Sequence, residues 1–464
     1  MPDIAELVAE VLPAGAAMTG AEAGDDYTHD EALTGEPQVP AAVAFPTTTA
    51  EVSDILRLAA EHGVPVTARG SGTGLSGAAI PVAGGIVVSF ERMNRVVEVD
   101  AANHVVVVEP GVTLAALDEV LAGHGLVYPV FPGEYNASLG GNVATNAGGM
   151  RAVKYGVTRH QVLGLEAVLP GGEVIRTGGR YVKSSSGYDL TQLIVGSEGT
   201  LVLVTEATLR VYPRAPHTAT VLAPFRSLDE VMEAVPKVVT SGVDPLILEY
   251  IDMLTMAAMT AHSGLDLGVP DDVRESALAY LVVMLEGHHA DRVDDDLQRV
   301  AELMTDLGAI DVYVLPPASG TRLIEAREQA FWIAKANGAD DIVDIVVPRA
   351  AIATFMREVS ALGERSGSWI AGCGHAGDGN VHLSVFQGDP ALRSETVREL
   401  FRIGLSLGGA ISGEHGIGTV KRSYLLELED PAKIALMRRI KAAFDPTGIM
   451  NPSTLLGGGA EDEP

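Results

Sequence analysis

The chain has a single cysteine, Cys373, in 464 residues. That excludes an intrachain disulfide and a cysteine-ligated iron–sulfur cluster, and there is no haem-attachment motif. Basic residues are also few, 32 Lys and Arg against 61 Asp and Glu, for a net charge of −29. With no basic stripe to offset it, that charge repels phosphate, and no nucleic-acid partner is expected. Long apolar runs are missing as well. They reach only strand length, as at Val105 to Val108, so no transmembrane segment is expected. The opening MPDIAELVAEVLPAG has no basic region leading into an apolar stretch. No signal peptide is therefore expected, and the expected location is the cytoplasm, with docking on a membrane partner left open.

Apolar residues make up 47% of the chain, and glycines number 52. At this length the apolar share suffices for two or three domains with their own cores. The glycines point to many tight loops, or to backbone brought close to a ligand.

Residues 1–36 read as helical and then polar, and a β/α pattern begins at Pro37. Thr48 and Thr49 are placed to cap a helix carrying Val52, Ile55, Leu56 and Ala59 on one face, stopped by Gly63. Thr113 is placed to cap another with Leu114, Leu117, Val120 and Leu121. Pro213 and Pro216 punctuate a boundary near residue 215, beyond which strands and helices alternate. There Ser227 and Glu230 form a capping-box pattern. Strands are expected at 218–222, 246–250, 280–285 and 310–315, the pattern of a ferredoxin-like α+β layer. That second region runs over 216–425, and a C-terminal segment over 426–464 closes the chain with a helix at 431–444.

Gly72, Gly74 and Gly77 satisfy G-x-G-x-x-G, with Glu91 some distance on, as in a Rossmann dinucleotide site. The context refuses that reading. The Rossmann fingerprint needs a helix starting on the loop, whereas Ala78-Ala-Ile-Pro81 leads to Gly84, Gly85 and a strand. A glycine-rich strand–loop–strand can still bind phosphate, through successive backbone N–H groups. A second run of small or hydrogen-bonding residues spans Ser138 to Gly149, followed by Tyr155-Gly156, and a third is Gly196-Ser-Glu-Gly-Thr200. Three such segments in one region suggest a large, flat, polar ligand lying along backbone.

Arg69-Gly-Ser-Gly-Thr-Gly-Leu-Ser76, Ser138-Leu-Gly-Gly-Asn142 with Asn146-Ala-Gly-Gly149, Ser186-Gly-Tyr-Asp-Leu190 and Gly196-Ser-Glu-Gly-Thr-Leu201 together resemble the FAD domain of vanillyl-alcohol-oxidase-type flavoproteins. The branch is that of glycolate oxidase, D-lactate dehydrogenase and D-2-hydroxyglutarate dehydrogenase, and the likeness runs from Pro37 to Pro452. It implies an α+β fold: a two-part FAD-binding domain over 37–215, a ferredoxin-like substrate or cap domain, and a C-terminal helical segment returning to the FAD domain. It also implies an FAD site. Arg69, Gly70, Ser71, Gly72, Thr73, Gly74 and Leu75 wrap the pyrophosphate. Pro132, Ser138, Gly141, Asn142, Thr145, Asn146, Gly148, Gly149, Tyr155, Glu198, Gly199, Val204 and Asn451 complete it. Some relatives tether the flavin through a histidine in the first loop. None lies between Arg69 and Gly77, so the FAD is expected to be non-covalent. Val202 stands where relatives commonly have Gly, and a slightly shifted flavin contact is expected there.

Gly374-His-Ala-Gly-Asp-Gly-Asn-Val-His-Leu-Ser384 places His375 in a turn and His382 on the next strand, and Ser412-Gly-Glu-His-Gly-Ile-Gly418 follows later. Two His and one Glu suit Zn²⁺ or another divalent metal with an open position. In an extended segment, Glu414 and His415 would point to opposite sides. The resemblance implies that His375, His382 and Glu414 hold the metal, that His415 is the base, and that Arg327 holds the substrate carboxylate. A Lewis acid lowers the pKa of a bound hydroxyl, and a histidine near neutrality can take its proton. The 2-hydroxyglutarate enzymes carry a Thr and a Lys where this chain has Phe331 and Ile342, and Ser384 replaces an Asn. An apolar pocket suits lactate, glycolate or a longer 2-hydroxy acid better. Cys373 reads as small core filler.

The expected activity is oxidation of a small D-2-hydroxy acid. A non-catalytic flavin-binding subunit, a 2-hydroxyglutarate dehydrogenase, a metal hydrolase and an NADPH-linked reductase are the competing readings. Electrons must leave to an electron-transfer flavoprotein, a quinone, a cytochrome or a partner subunit. The oligomeric state, a homodimer among the alternatives, stays open.

Overall fold

The computed structural model describes residues 3–457. Its first layer is a four-stranded sheet in the order Ala17–Thr19, Ala42–Ala44, Ile86–Ser89, Val66–Arg69. The last three strands are parallel, and Ala17–Thr19 runs against Ala42–Ala44. That edge strand belongs to the segment read as helical and then polar. The helix Thr49–His62 packs on this sheet through Val52, Ile55, Leu56 and Ala59. The Thr48 hydroxyl accepts from Glu51 N–H at its start, and Gly63 closes it in the left-handed conformation.

The second layer is a five-stranded antiparallel sheet in the order Val96–Asp100, Val105–Val108, Leu203–Arg210, Val162–Val168, Val174–Gly178. Two short helices beside it, Leu114–Ala122 and Leu139–Thr145, have Thr113 and Ser138 as caps. The second of these was not legible, because Gly140 and Gly141 lower helix propensity. It forms because Ser138 Oγ accepts from Gly141 N–H and because Leu139 and Val143 bury in the core of this layer.

The third layer is a seven-stranded sheet in the order Tyr313–Leu315, His217–Phe225, Ala279–Gly287, Ile247–Asp252, Trp369–His375, Asn380–Phe386, Asp341–Val346. Its first four strands carry the ferredoxin-like connection, strand–helix–strand–strand–helix–strand, with Leu228–Thr240 and Ala290–Asp306 as the helices. A second strand–helix–strand–strand–helix unit, from Asp341–Val346 to Pro390–Ser406, adds the other three strands. The Ser227–Glu230 cap is only half a capping box. Ser227 Oγ accepts from Glu230 N–H, but the Glu230 carboxylate takes Arg226 N–H instead.

Period-two alternation decides what each face of this sheet does. Val343, Ile345, Val381, Leu383 and Val385 bury against the helices Ile352–Ser366 and Pro390–Ser406 through Phe355, Val359, Leu400 and Phe401. The intervening residues therefore face the other way. Over half of that second face, the helices Met253–Ser263 and Pro317–Glu328 cover the sheet through Met256, Met259 and Leu323. The rest turns toward the glycine-rich loops.

The C-terminal segment ties the layers together. Asn451 N–H donates to Val66 O at 2.8 Å, extending the first sheet, and the buried Lys441 ammonium donates to Thr200 O at 2.7 Å and Met450 O at 2.8 Å. Among the described residues, no helix is long and apolar enough to cross a membrane.

Candidate active site

One cavity lies between the glycine-rich loops and the open face of the seven-stranded sheet. On the loop side it is lined by Gly70, Ser71, Gly72, Thr73, Gly74, Leu75, Pro132, Ser138, Gly141, Asn142, Thr145, Gly149, Glu198 and Gly199. On the sheet side it is lined by Arg327, His375, His382, Glu414 and His415. Six residues expected at the cofactor stand behind this wall. Arg69 is buried, donates to His29 O at 2.7 Å and supports the loop from beneath. Asn146 accepts Arg159 N–H, Tyr155 donates to Glu286, and Asn451 donates to Ala78 O and Glu198 O. Gly148 backs Glu414, and Val204 sits within the strand Leu203–Arg210. Val202 is buried in the core of the second layer.

The loop wall suits a large polar ligand because at its glycine positions no side chain can stand. A Cβ at Gly70 would lie 1.9 Å from Ser138 Oγ, and one at Gly72 would lie 2.1 Å from the Arg69 guanidinium, where φ is also +73°. The Asn142 Nδ2 donor is buried on this wall with no partner, a group that a ligand oxygen would satisfy.

His375 does not sit in a turn. It ends the strand Trp369–His375 and pairs with Asn380 across the hairpin, because the tight turn begins only at Ala376 and closes on Gly379 at φ +88°. His382 faces the same side from the paired strand. The ligand atoms of His375, His382 and Glu414 lie within 4.8 Å of one another. Glu414 Oε1 is 3.2 Å from His375 Nε2 and 3.3 Å from His382 Nε2. His375 Nδ1 is 2.6 Å from Glu249 Oε1. A neutral His375 that keeps its proton on Nδ1 for Glu249 turns the Nε2 lone pair toward the cluster, the orientation a metal ligand needs. The donor set fits a divalent cation with a position left open.

The charges agree with that geometry. Burial alone would lower the pKa of His375, but the carboxylates of Glu249 and Glu414 raise it well above the ordinary imidazole value. Burial would raise Glu414, yet His375, His382 and His415 hold it down at about 2. Burial and then the neighbouring His375 push His382 well below its ordinary value.

Glu414 and His415 do not point to opposite sides; both line the cavity. The reason is Asp344, buried on the strand Asp341–Val346. The N–H groups of Gly413, Glu414 and His415 all donate to its Oδ2 at 2.9–3.0 Å, with the Ser412 hydroxyl at 2.6 Å. Backbone wrapped around one oxygen is a nest and cannot be extended. The other Asp344 oxygen accepts from Asn380 Nδ2 at 2.6 Å. From the far side, Ser76 Oγ donates to His415 O at 2.8 Å, and Glu198 accepts Ile417 N–H and Gly418 N–H. The loop bearing His415 is thus clamped between the sheet and the glycine-rich layer. The His415 ring stacks on His382 at 5.1 Å, and its Nδ1 is buried with no partner. Burial is the chief cause of its lowered pKa, which leaves the ring neutral and able to accept a proton.

Arg327, at the end of the helix Pro317–Glu328, is buried and lines the cavity. Its Nη2 is 2.9 Å from Glu249 Oε2, but not aligned as a hydrogen bond, so Nε and Nη2 both lack partners. Burial works against its charge, yet the surrounding carboxylates of Glu249 and Glu414 hold it protonated. Cys373 lines the cavity between these groups, and burial pushes its thiol up to about 11.

Two central residues escaped the sequence reading, Glu249 and Asp344. Each is an acid flanked on both sides by apolar or aromatic residues within a strand, Ile-Leu-Glu-Tyr-Ile and Ile-Val-Asp-Ile-Val. A buried charge in such a run needs a partner or a role, and that signal was available.

Residues 214–455 match the family of FAD linked oxidases, C-terminal domain, and residues 40–178 match an FAD binding domain. The chain is 56% identical to an uncharacterized FAD-linked oxidoreductase of Mycobacterium tuberculosis, over 98% of this chain and 100% of that one. It is 40% identical to a D-lactate dehydrogenase of Archaeoglobus fulgidus, covering 89% and 91% of the two chains. It is 36% identical to glycolate oxidase subunit GlcD of Bacillus subtilis, covering 90% and 89%. Its fold is similar to that of p-cresol methylhydroxylase, with a TM-score of 0.82 at 17% identity over 98% of this chain and 96% of that one.

Proposed function

Because the chain belongs to the FAD-linked oxidoreductase family of the D-lactate dehydrogenase and GlcD relatives, with the two-part FAD-binding fold, we propose that it oxidises a D-2-hydroxy acid, of the lactate and glycolate kind at its reacting end, to the 2-oxo acid. One observation carries this reading: a single cavity joins the glycine-rich loop wall to a His–His–Glu cluster, a histidine nitrogen with no hydrogen-bond partner and a guanidinium whose Nε and Nη2 make no hydrogen bond.

The loops at 70–75, 138–149 and 196–199 would hold the FAD without a covalent tether. His375, His382 and Glu414 would hold a divalent cation, with Zn²⁺ suited to this donor set. Bound FAD supplies the acceptor for the hydride leaving Cα, and a bound cation supplies Lewis acidity at the hydroxyl. The protein's own groups do the rest. Arg327 binds the substrate carboxylate through Nε–H and Nη2–H, which make no hydrogen bond within the protein. His415 Nδ1 accepts the hydroxyl proton. Glu249 orients His375 and neutralises Arg327, and Asp344 fixes the loop that presents Glu414 and His415. Reoxidation of bound FAD would need a separate electron acceptor, a protein or a quinone; the Bacillus relative is by name a subunit of an oxidase.

The test is anaerobic. Purified, metal-replete protein is mixed with D- and L-2-hydroxy acids while the visible flavin band is followed. Bleaching by D-acids alone supports the reading. A flavin band that no 2-hydroxy acid bleaches sinks the substrate class and favours a non-catalytic role.

A further inference from the structure

Several side chains on the sheet wall of the cavity have no part in the chemistry above. Alternation carries the wall outward from the metal ligands along two paired strands. From His382 it runs to Ser384 and Phe386, and from His375 to Cys373, Ala371 and Trp369. Ile342 continues it on the third strand, opposite Ser384. The helix Ala330–Ala336 contributes Phe331, Trp332 and Ile333 to the same cavity, and the helix Met253–Ser263 contributes Leu254 and Ala258. At about 3.3 Å per residue, four residues of strand put Phe386 on the order of 13 Å from His382. Trp369, 54% exposed, packs on Phe386 with ring centroids 4.8 Å apart.

A lactate methyl group needs almost none of this surface. A contiguous apolar wall left to water is costly, and it marks a binding site. Its charges are as telling. Among the described residues lining the cavity, Arg327 is the only Lys or Arg, while Glu134, Glu198 and Glu328 line it as well. The cavity therefore offers one side-chain cation for one carboxylate, and none for a second.

We infer that the substrate is a monocarboxylic 2-hydroxy acid with a long aliphatic or aromatic side chain, whose tail lies along Phe386, Trp369, Ile342 and Phe331. The inference rests on the oxidation reading above and narrows it to a substrate class. The carboxylate and hydroxyl stay at Arg327, His415 and the His–His–Glu cluster, and the tail is bound by desolvation alone.

The experiment uses the metal-replete holoenzyme and a graded series of D-2-hydroxy acids: glycolate, lactate, 2-hydroxybutyrate, 2-hydroxyhexanoate, 2-hydroxyoctanoate, 3-phenyllactate and 2-hydroxyglutarate. The rate of anaerobic flavin bleaching against concentration gives an apparent Kd for each. Each methylene added beyond lactate is expected to tighten binding by about fourfold until the wall is used up. Phenyllactate is expected to bind more tightly than lactate, and hydroxyglutarate more weakly. F386A and W369A, checked for full flavin content, are expected to flatten that slope. If lactate and glycolate bleach the flavin while longer acids bind no better, the inference is overturned and the oxidation reading stands. If no acid of any length bleaches it, both fail together.

Discussion

Glu249→Gln is the sharpest single perturbation of this site. Glu249 is completely buried, and its two oxygens serve different groups: Oε1 meets His375 Nδ1 at 2.6 Å, and Oε2 lies 2.9 Å from Arg327 Nη2. Glutamine keeps the shape and can still accept from His375, so only the charge is removed. Two effects follow. The imidazole loses the carboxylate that makes it a strong ligand, a change on the scale of about 10–100-fold in metal affinity. Arg327 becomes a buried cation without its partner, which costs about 3–5 kcal/mol. For a unit the size of the layer that holds it, that corresponds to a fall in melting temperature of roughly 6–20 °C. Chelator competition measures the first effect and calorimetry the second, both on flavin-loaded protein. Metal affinity within twofold of the parent and an unchanged melting temperature would refute the claim that Glu249 orients one group and neutralises the other.

Further predictions follow from the same geometry. His415→Ala is expected to lower turnover by roughly 10²–10⁴-fold with flavin and metal content retained, as steady-state assay alongside absorbance and metal analysis will show; near-parental turnover removes the base assignment. Gly70→Ala is expected to lose FAD, since its Cβ meets Ser138 Oγ at 1.9 Å, and a flavin stoichiometry close to one would contradict the packing argument. Metal affinity is expected to fall as pH drops. In the metal-free protein the raised pKa of His375 means that a proton occupies Nε2 at neutral pH, so metal must displace it, and affinity weakens by about tenfold per unit below that pKa. Glu414, held at about 2, adds nothing to this dependence. Titration calorimetry in buffers of different ionisation heat should register about one proton released per metal bound, and no release at pH 7 would show that the site is not proton-filled. Ile342→Lys with Phe331→Thr is expected to raise the preference for 2-hydroxyglutarate over lactate, read as a ratio of bleaching rates.

The sequence by itself determined the local chemistry. Ala78-Ala-Ile-Pro81 after the glycine loop excluded a helix there and with it a Rossmann site, and the structure has none on that loop. Thr48, Thr113 and Gly63 marked helix ends because caps act within one turn, and the change of rhythm after Pro213 marked a new layer. Such signals are short-range, so composition and spacing carry them. Tertiary structure decided what depends on register across the sheet. Glu249 meets His375 across 126 positions of sequence because Tyr250 pairs with Gly374 on adjacent strands. Asp344 gathers residues 412–415 because the strand Asp341–Val346 runs beneath them, which bends Glu414 and His415 to one side where an extended chain would have parted them. A one-residue slip in either pairing would turn these side chains to the opposite face. Periodicity fixes which residues share a face, but only the packed core fixes which strand lies next to which, and the buried charges of this site take their partners from that second decision.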